Sequence, residues 1–180
     1  MKILPGMAAV LAALVLIAAP AAAQDRATGL KLDSDKPIQI ESDRLEVREQ
    51  ESKAIFTGNV TVVQGPTLLK AGVMTVFYVK GAGDNANSTG SQQIDRLEVS
   101  NKVYIKSENQ VATGDEGTFD VKSSTFTLKG KEVVLTDGGN VAQGCSLTVN
   151  TTTGRSQLDS CGSGSGGRVK VQLAPANQGN

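Results

Sequence analysis

Asp43-Arg44-Leu45-Glu46-Val47 returns as Asp95-Arg96-Leu97-Glu98-Val99, and in both copies polar and apolar residues alternate. A period of two is the mark of a strand with one buried face. A repeated catalytic motif would carry a reactive constellation, whereas this one offers two carboxylates and a guanidinium around a leucine, so a repeated strand accounts for it better. Working outward, helical signals are nearly absent beyond residue 23, while Val, Ile and Thr recur between short Gly or Asn turns. The composition predicts an all-β fold.

Aligning the turns makes a longer repeat measurable. Phe56, Gly58, Asn59, Val60 and Val62 lead to Leu69, Ala71, Met74, Val76 and Tyr78. The same order returns in Val99, Asn101, Val103 and Ile105 followed by Gly114, Gly117, Phe119 and Val121, and again in Leu128, Gly130, Val133 and Leu135 followed by Gly144, Leu147 and Val149. From Ala71 to Gly114 is 43 residues and from Gly114 to Gly144 is 30, and the 13-residue stretch Lys80 to Gln92, rich in Gly, Asn and Ser, has the length of the difference. It reads as an inserted surface loop. Each repeat is then about 30 residues of short antiparallel strands, too small to bury its own apolar face, so the units must stack. The two pentapeptides, 52 residues apart, fit neither spacing: the first precedes a hairpin turn and the second an Asn turn.

Residues 1–23 stand apart. Lys2, the apolar run Met7 to Ala19 and Ala21-Ala22-Ala23 before Gln24 have the form of a cleaved export signal, the run being short for a membrane span. No Cys stands at the cleavage point, which argues against a lipid anchor and for a soluble periplasmic protein. Residues 24–35 form an N-terminal extension, 36–161 one β domain, and 162–180 a Gly and Ser linker, a terminal strand at 168–173 and a polar tail. The remaining 157 residues carry 17 basic and 18 acidic side chains, which gives no electrostatic footprint for nucleic acid. The chain has no His and no Trp. The first absence excludes Ser-His-Asp and Cys-His catalysis and imidazole metal sites, and no Asp or Glu stands where its pKa would be shifted for glycoside hydrolysis. No catalytic residue, cofactor or metal ligand is expected.

Two hairpins can be placed. Phe119 and Val121 turn at Lys122-Ser123 and return through Phe126 and Leu128, and 30 residues later Leu147 and Val149 turn at Thr152-Thr153 and return through Leu158. Apolar residues would then form continuous columns along the stack. Cys145 and Cys161 fall on the arms of the second hairpin, and in an oxidising compartment such a pair reads as a disulfide. Alternation places Cys145 opposite Ser160, so a bond needs the turn centred on Thr153 or a one-residue bulge near Gly144. The strand Arg168 to Leu173, tethered by Gly and Ser, either folds back on its own domain or pairs with another edge.

The run Pro37-Ile38-Gln39-Ile40-Glu41-Ser42-Asp43-Arg44-Leu45-Glu46-Val47, with Ala54, Phe56-Thr57-Gly58-Asn59-Val60 and Leu69-Lys70-Ala71, resembles the LptA/OstA family of lipopolysaccharide-transport proteins. Ala112-Thr113-Gly114-Asp115 and Phe126-Thr127-Leu128-Lys129-Gly130 look like its later repeats, and Arg168 to Pro175 is similar to its last strand. The resemblance covers most of residues 36–175. It implies a twisted antiparallel β-jelly roll open on one side, whose interior holds lipid A acyl chains and whose ends join an inner-membrane LptC-like protein and the N-terminal domain of an LptD-like translocon, with head-to-tail self-association possible. The insertion and the Cys pair depart from the pattern.

On that implication the lipid-contacting lining is Ile38, Ile40, Leu45, Val47, Phe56, Val60, Val62, Leu69, Met74, Val76, Tyr78, Leu97, Val99, Val103, Ile105, Phe119, Val121, Phe126, Leu128, Leu147, Val149 and Leu158. The partner-binding edges are Ile38 and Ile40 at one end and Val169, Val171 and Leu173 at the other. The same lining would serve an ordinary closed core, and its assignment to lipid rests on the resemblance. A structural or glycan-binding periplasmic β-solenoid without lipid transport stays open as the alternative.

Overall fold

A computed structural model describes residues 37–79, 94–162 and 167–175. The expected export signal and N-terminal extension, the insertion at 80–92, most of the Gly and Ser linker and the end of the tail lie outside the described residues. Ten strands follow in order: β1 (Gln39–Glu41), β2 (Arg44–Arg48), β3 (Lys53–Gln64), β4 (Thr67–Tyr78), β5 (Ile94–Ser107), β6 (Gln110–Asp120), β7 (Thr125–Asp137), β8 (Asn140–Asn150), β9 (Ser156–Asp159) and β10 (Lys170–Gln172). All pair antiparallel in one unclosed sheet that runs β3 to β8 in chain order. At one end β1 and β2 both pair with β3, and at the other β9 and β10 both pair with β8.

What shapes this sheet is a line of bulges across the middle of every long strand. The register shifts between Thr57 and Val60, Lys70 and Val73, Ser100 and Val103, Thr113 and Glu116, and Lys129 and Val133. A bulge bends its strand and sharpens the twist. Five in line fold the sheet lengthwise into two walls, whose inner faces meet in one apolar cluster. The expected turns at Gly58-Asn59 and Asn101 are therefore corrected: the chain passes through them and continues as strand, with φ of 81° and 47° at Gly58 and Asn59 and 67° and 63° at Asn101 and Lys102. Gly and Asn tolerate positive φ in turns and bulges alike, so the residue types do not separate the two. The repeat is likewise a pair of long bent strands of 11 to 14 residues, not several short ones.

Asp43 clasps the first bend. Its backbone N–H donates to the Gly58 carbonyl at 2.9 Å, and its Oδ2 accepts from Asn59 Nδ2 at 2.9 Å. A Cβ on Gly58 would stand 2.3 Å from that same oxygen, so the position requires glycine for space as well as for φ. At a later bend Asp115 Oδ2 accepts from the Lys131 N–H at 2.8 Å.

The register turns the alternation into rows. On the first wall Leu45, Phe56, Met74, Val99, Gly117, Leu128, Leu147 and Leu158 lie opposite one another across eight strands, and beside them run Val47, Ala54, Val76, Leu97, Phe119, Phe126, Val149 and Ser156. On the second wall Ile40, Val62, Leu69, Ile105, Ala112, Leu135, Ala142 and Val171 form a matching row. Gly117 is the gap in the first row through which the Phe126 ring passes; a Cβ there would sit 2.9 Å from Phe126 Cζ and 3.0 Å from Val99 Cγ2.

The two expected hairpins are present with their expected centres, pairing Phe119 with Phe126 and Leu147 with Leu158. Their turns share one device. Asp120 Oδ1 accepts from the Ser123 N–H and hydroxyl, both at 2.8 Å, and these bonds hold the Asp120 carboxyl below its ordinary pKa. Asn150 Oδ1 accepts from the Thr153 N–H and hydroxyl in the same way. Cys145 and Cys161 are disulfide-bonded with Cα atoms 4.9 Å apart. The bulge expected near Gly144 is absent from this hairpin, whose register runs unshifted from Val149 opposite Ser156 to Ser146 opposite Asp159, and Cys161 reaches Cys145 from two residues beyond the end of β9. The terminal strand folds back on its own domain, β10 pairing Lys170 to Gln172 with Gln143 to Val141 of β8.

Candidate functional site

The two walls join at the bend, and burial is most complete beside it. Val60, Val103, Leu128, Val133 and Met74, next to the bend, are the largest fully buried side chains among the described residues. One rung further out on each wall, Val62, Leu69, Leu97, Phe119 and Leu135 are only half buried while still packed on the core, as is Phe56 in the row next to the bend, whereas Val76, Phe126 and Ile105 in those outer rows are buried. The interior is closed along the bend and open along the opposite side.

The open part is a groove enclosing about 140 Å³ near the β1 and β2 end, lined by Ile38, Ile40, Phe56, Val62, Gln64, Thr67, Leu69, Met74, Val76, Tyr78, Ile94, Leu97, Val99, Ile105, Phe119 and Phe126. No side chain among these sixteen is charged. A smaller pocket of about 30 Å³ continues it toward β8, between Ile105, Ala112, Phe126, Leu135, Leu147 and Val149. Burial raises the Tyr78 phenol above its ordinary pKa, so the hydroxyl stays neutral at the groove wall. A larger hollow of about 650 Å³ lies on the outside of the first wall, but Glu98, Glu116, Lys129 and several threonines face it, and an apolar ligand would gain little there. Among the described residues no group of His, Cys, Asp and Glu is placed to hold a metal ion.

Of the lining read from the sequence, Val60, Met74, Val76, Val99, Val103, Ile105, Phe126, Leu128, Leu147 and Val149 are buried, and Ile40, Phe56, Val62, Leu69, Tyr78, Leu97, Phe119 and Leu158 are half buried against them. Val121 is half buried beside the β6–β7 turn. Ile38, Leu45 and Val47 occupy the ends of their rows and are exposed, Leu45 at 54% and Val47 at 59%. The structure adds Ile94, Leu135, Ala54, Ala71, Ala112 and Val133 to the core, and Gln64, Thr67, Ser107 and Gln110 to the lining. Val133 and Leu135 stand in the repeat pattern, so the apolar additions had a signal; the four polar residues had none, since inward polar residues break the alternation.

The exposed apolar side chains gather at the two edges of the sheet. Ile38, Leu45 and Val47 flank β1 and β2, while Val169, Val171 and Leu173 flank β10, the last two exposed at 60% and 73%. Both edges end in short strands with unpaired outer backbone groups.

Comparison with known proteins agrees with this architecture. The chain is 54% identical over 166 residues to the uncharacterized protein R00383 of Rhizobium meliloti (strain 1021), covering 91% of this chain and 86% of that one. A second protein, from Rhizobium etli and described as an uncharacterized protein in the rpoN-linked probable transport protein 5' region, is 51% identical over 51 residues, 28% of this chain and 87% of its own. The crystal structure of LptH, the LptA homologous periplasmic component of the lipopolysaccharide transport device from Pseudomonas aeruginosa, superposes with a TM-score of 0.62 at 18% identity, over 78% of this chain and 96% of that one. That likeness is one of fold. Residues 39–155 match the model of the LptA/(LptD N-terminal domain) LPS transport protein family, and the chain belongs to that family.

Proposed function

We propose that this protein is a non-enzymatic periplasmic carrier that takes the lipid A acyl chains of lipopolysaccharide into the groove and passes them from the inner toward the outer membrane. The observation that carries the reading is the apolar groove in the interior, along which Phe56, Val62, Leu69, Leu97 and Phe119, side chains that an ordinary core would cover, are only partly buried. Each acyl chain of a dozen carbons costs roughly 10 kcal/mol to expose to water. A carrier needs a lining that stays apolar along its length and releases its cargo sideways, and a half-open groove meets both needs. Its enclosed volume of about 140 Å³ matches a cavity that takes up a benzene-sized molecule, which is a segment of one chain. The rest of the chain lies along the open rows.

The edges support the proposal that several such domains form the route. The first-wall row begins at Leu45 and ends at Leu158, and the second-wall row begins at Ile40 and ends at Val171. Pairing of the β9/β10 edge of one copy with the β1/β2 edge of the next would continue both rows and cover Ile38, Val169 and Leu173. An LptC-like protein and the N-terminal domain of an LptD-like protein are the partners proposed at the two ends. A native mass spectrum of the protein purified from the envelope is expected to show a population heavier by one lipopolysaccharide or lipid A molecule. Protein that remains lipid-free after incubation with lipopolysaccharide would sink the carrier reading.

A further inference from the structure

One rung outside the all-apolar row of the second wall, the side chains change character together. Gln64 lies opposite Thr67, Thr67 opposite Ser107, Ser107 opposite Gln110, Gln110 opposite Asp137. By strand alternation these residues share the inner face with Val62, Leu69, Ile105, Ala112 and Leu135, and four of them line the two pockets. Gln64, Thr67 and Ser107 are the buried polar residues among those described, exposed by 4%, 3% and 5%. The Thr67 and Ser107 hydroxyls lie 3.1 Å apart as a hydrogen-bonded pair, and Gln110 Nε2 donates to Asp137 Oδ2 at 3.2 Å.

Burying neutral polar groups beside an apolar groove costs free energy that a leucine or valine would avoid. Solvent alone does not call for this row, since outward positions of the same strands carry charges such as Lys70 and Lys106. Nor does the opposite rim match it: Tyr78, Ile94 and Val121 make that side largely apolar. The groove therefore has one lip built of amides and hydroxyls and one that is largely apolar, with the Tyr78 phenol as its polar group. Amides and hydroxyls in the row supply both donors and acceptors, and the four strands β3 to β6 with β7 spread them over roughly 20 Å.

We propose that the row Gln64, Thr67, Ser107, Gln110 and Asp137 is a specificity lip that hydrogen-bonds the amide, ester and hydroxyl groups at the root of an acyl chain, where hydrocarbon meets head. It fixes which lip the head faces and favours acyl roots rich in such groups over plain alkyl tails of equal length. Having no cation in the row, it does not select phosphate. The inference rests on the carrier reading and adds the ligand feature that is read.

The test compares two probes with the same chain length and closely related sugar heads, N-(3-hydroxytetradecanoyl)glucosamine and tetradecyl glucoside, titrated below micelle formation against the mature protein and a Gln64→Leu, Thr67→Val, Ser107→Ala variant. The variant is expected to lose about three- to tenfold in affinity for the hydroxyacyl amide while staying within about twofold for the glucoside. Thr67→Val alone, nearly isosteric, shows part of the same split and serves where the triple variant does not fold. An equal loss for both probes, or no loss for either, overturns the lip and leaves the carrier reading standing. Wild-type protein that binds neither probe overturns both.

Discussion

Leu128 and Leu97 are both inward-facing leucines, yet Leu128, in the row next to the bend, is sealed on every side, whereas Leu97, one row further out, is half exposed in the groove wall. The same contrast sets Val103 and Val133 against Val62 and Leu69. Residue type does not separate the two regions, and neither does the row alone, since Val76, Phe126 and Val149 share the row of Leu97 and are buried. Beside the bend the walls fill their own space, and along the groove they leave apolar surface that this chain does not cover. On the proposed function, one interior serves stability on one side and cargo on the other.

The largest effect is expected on the sealed side. Leu128→Ala should lower unfolding free energy by about 3–4 kcal/mol, the usual cost of a cavity where neighbours cannot collapse, read as a shift in denaturation midpoint. Next comes the disulfide, which lies on the bend line at the β8/β9 edge and joins cysteines 16 positions apart in the sequence. Replacing Cys145 and Cys161 by Ser should cost about 3 kcal/mol and leave lipid affinity of the folded protein nearly unchanged, as the bond is remote from the groove lining. The smallest stability effect belongs to the open side: Leu97→Ala should cost about 2 kcal/mol of folding because Leu97 is only partly buried, yet weaken lipopolysaccharide binding several-fold in a titration. A Leu97→Ala variant as destabilised as Leu128→Ala would break the distinction between the two sides.

Much of this was legible in the alternation. The two Asp-Arg-Leu-Glu-Val copies place Leu45 and Val99 in the row nearer the bend and Val47 and Leu97 in the row nearer the mouth. Leu and Val exchange rows because β2 and β5 run in opposite directions, so copies 52 residues apart serve the same wall of one interior. Hairpin centres followed from the same pattern. The bulges did not, because Gly58-Asn59 and Asn101-Lys102 carry the positive-φ signal that turns also carry. Burial depth was equally hidden: alternation tells which face a side chain takes and is silent on how near the opposite wall stands. The polar lip was invisible for a related reason, since Gln64, Thr67 and Ser107 at inward phases read as the ends of strands.

The central claim is that lipid contacts the open rows of the interior and not the outside of the wall. A photo-crosslinking residue at Phe119, half buried in the groove, and another at its neighbour Thr118, on the outer face, differ by one position in β6 and test it directly. Illumination with lipopolysaccharide present is predicted to give a lipid adduct at Phe119 and little at Thr118; an adduct at Thr118 with none at Phe119 would contradict the account.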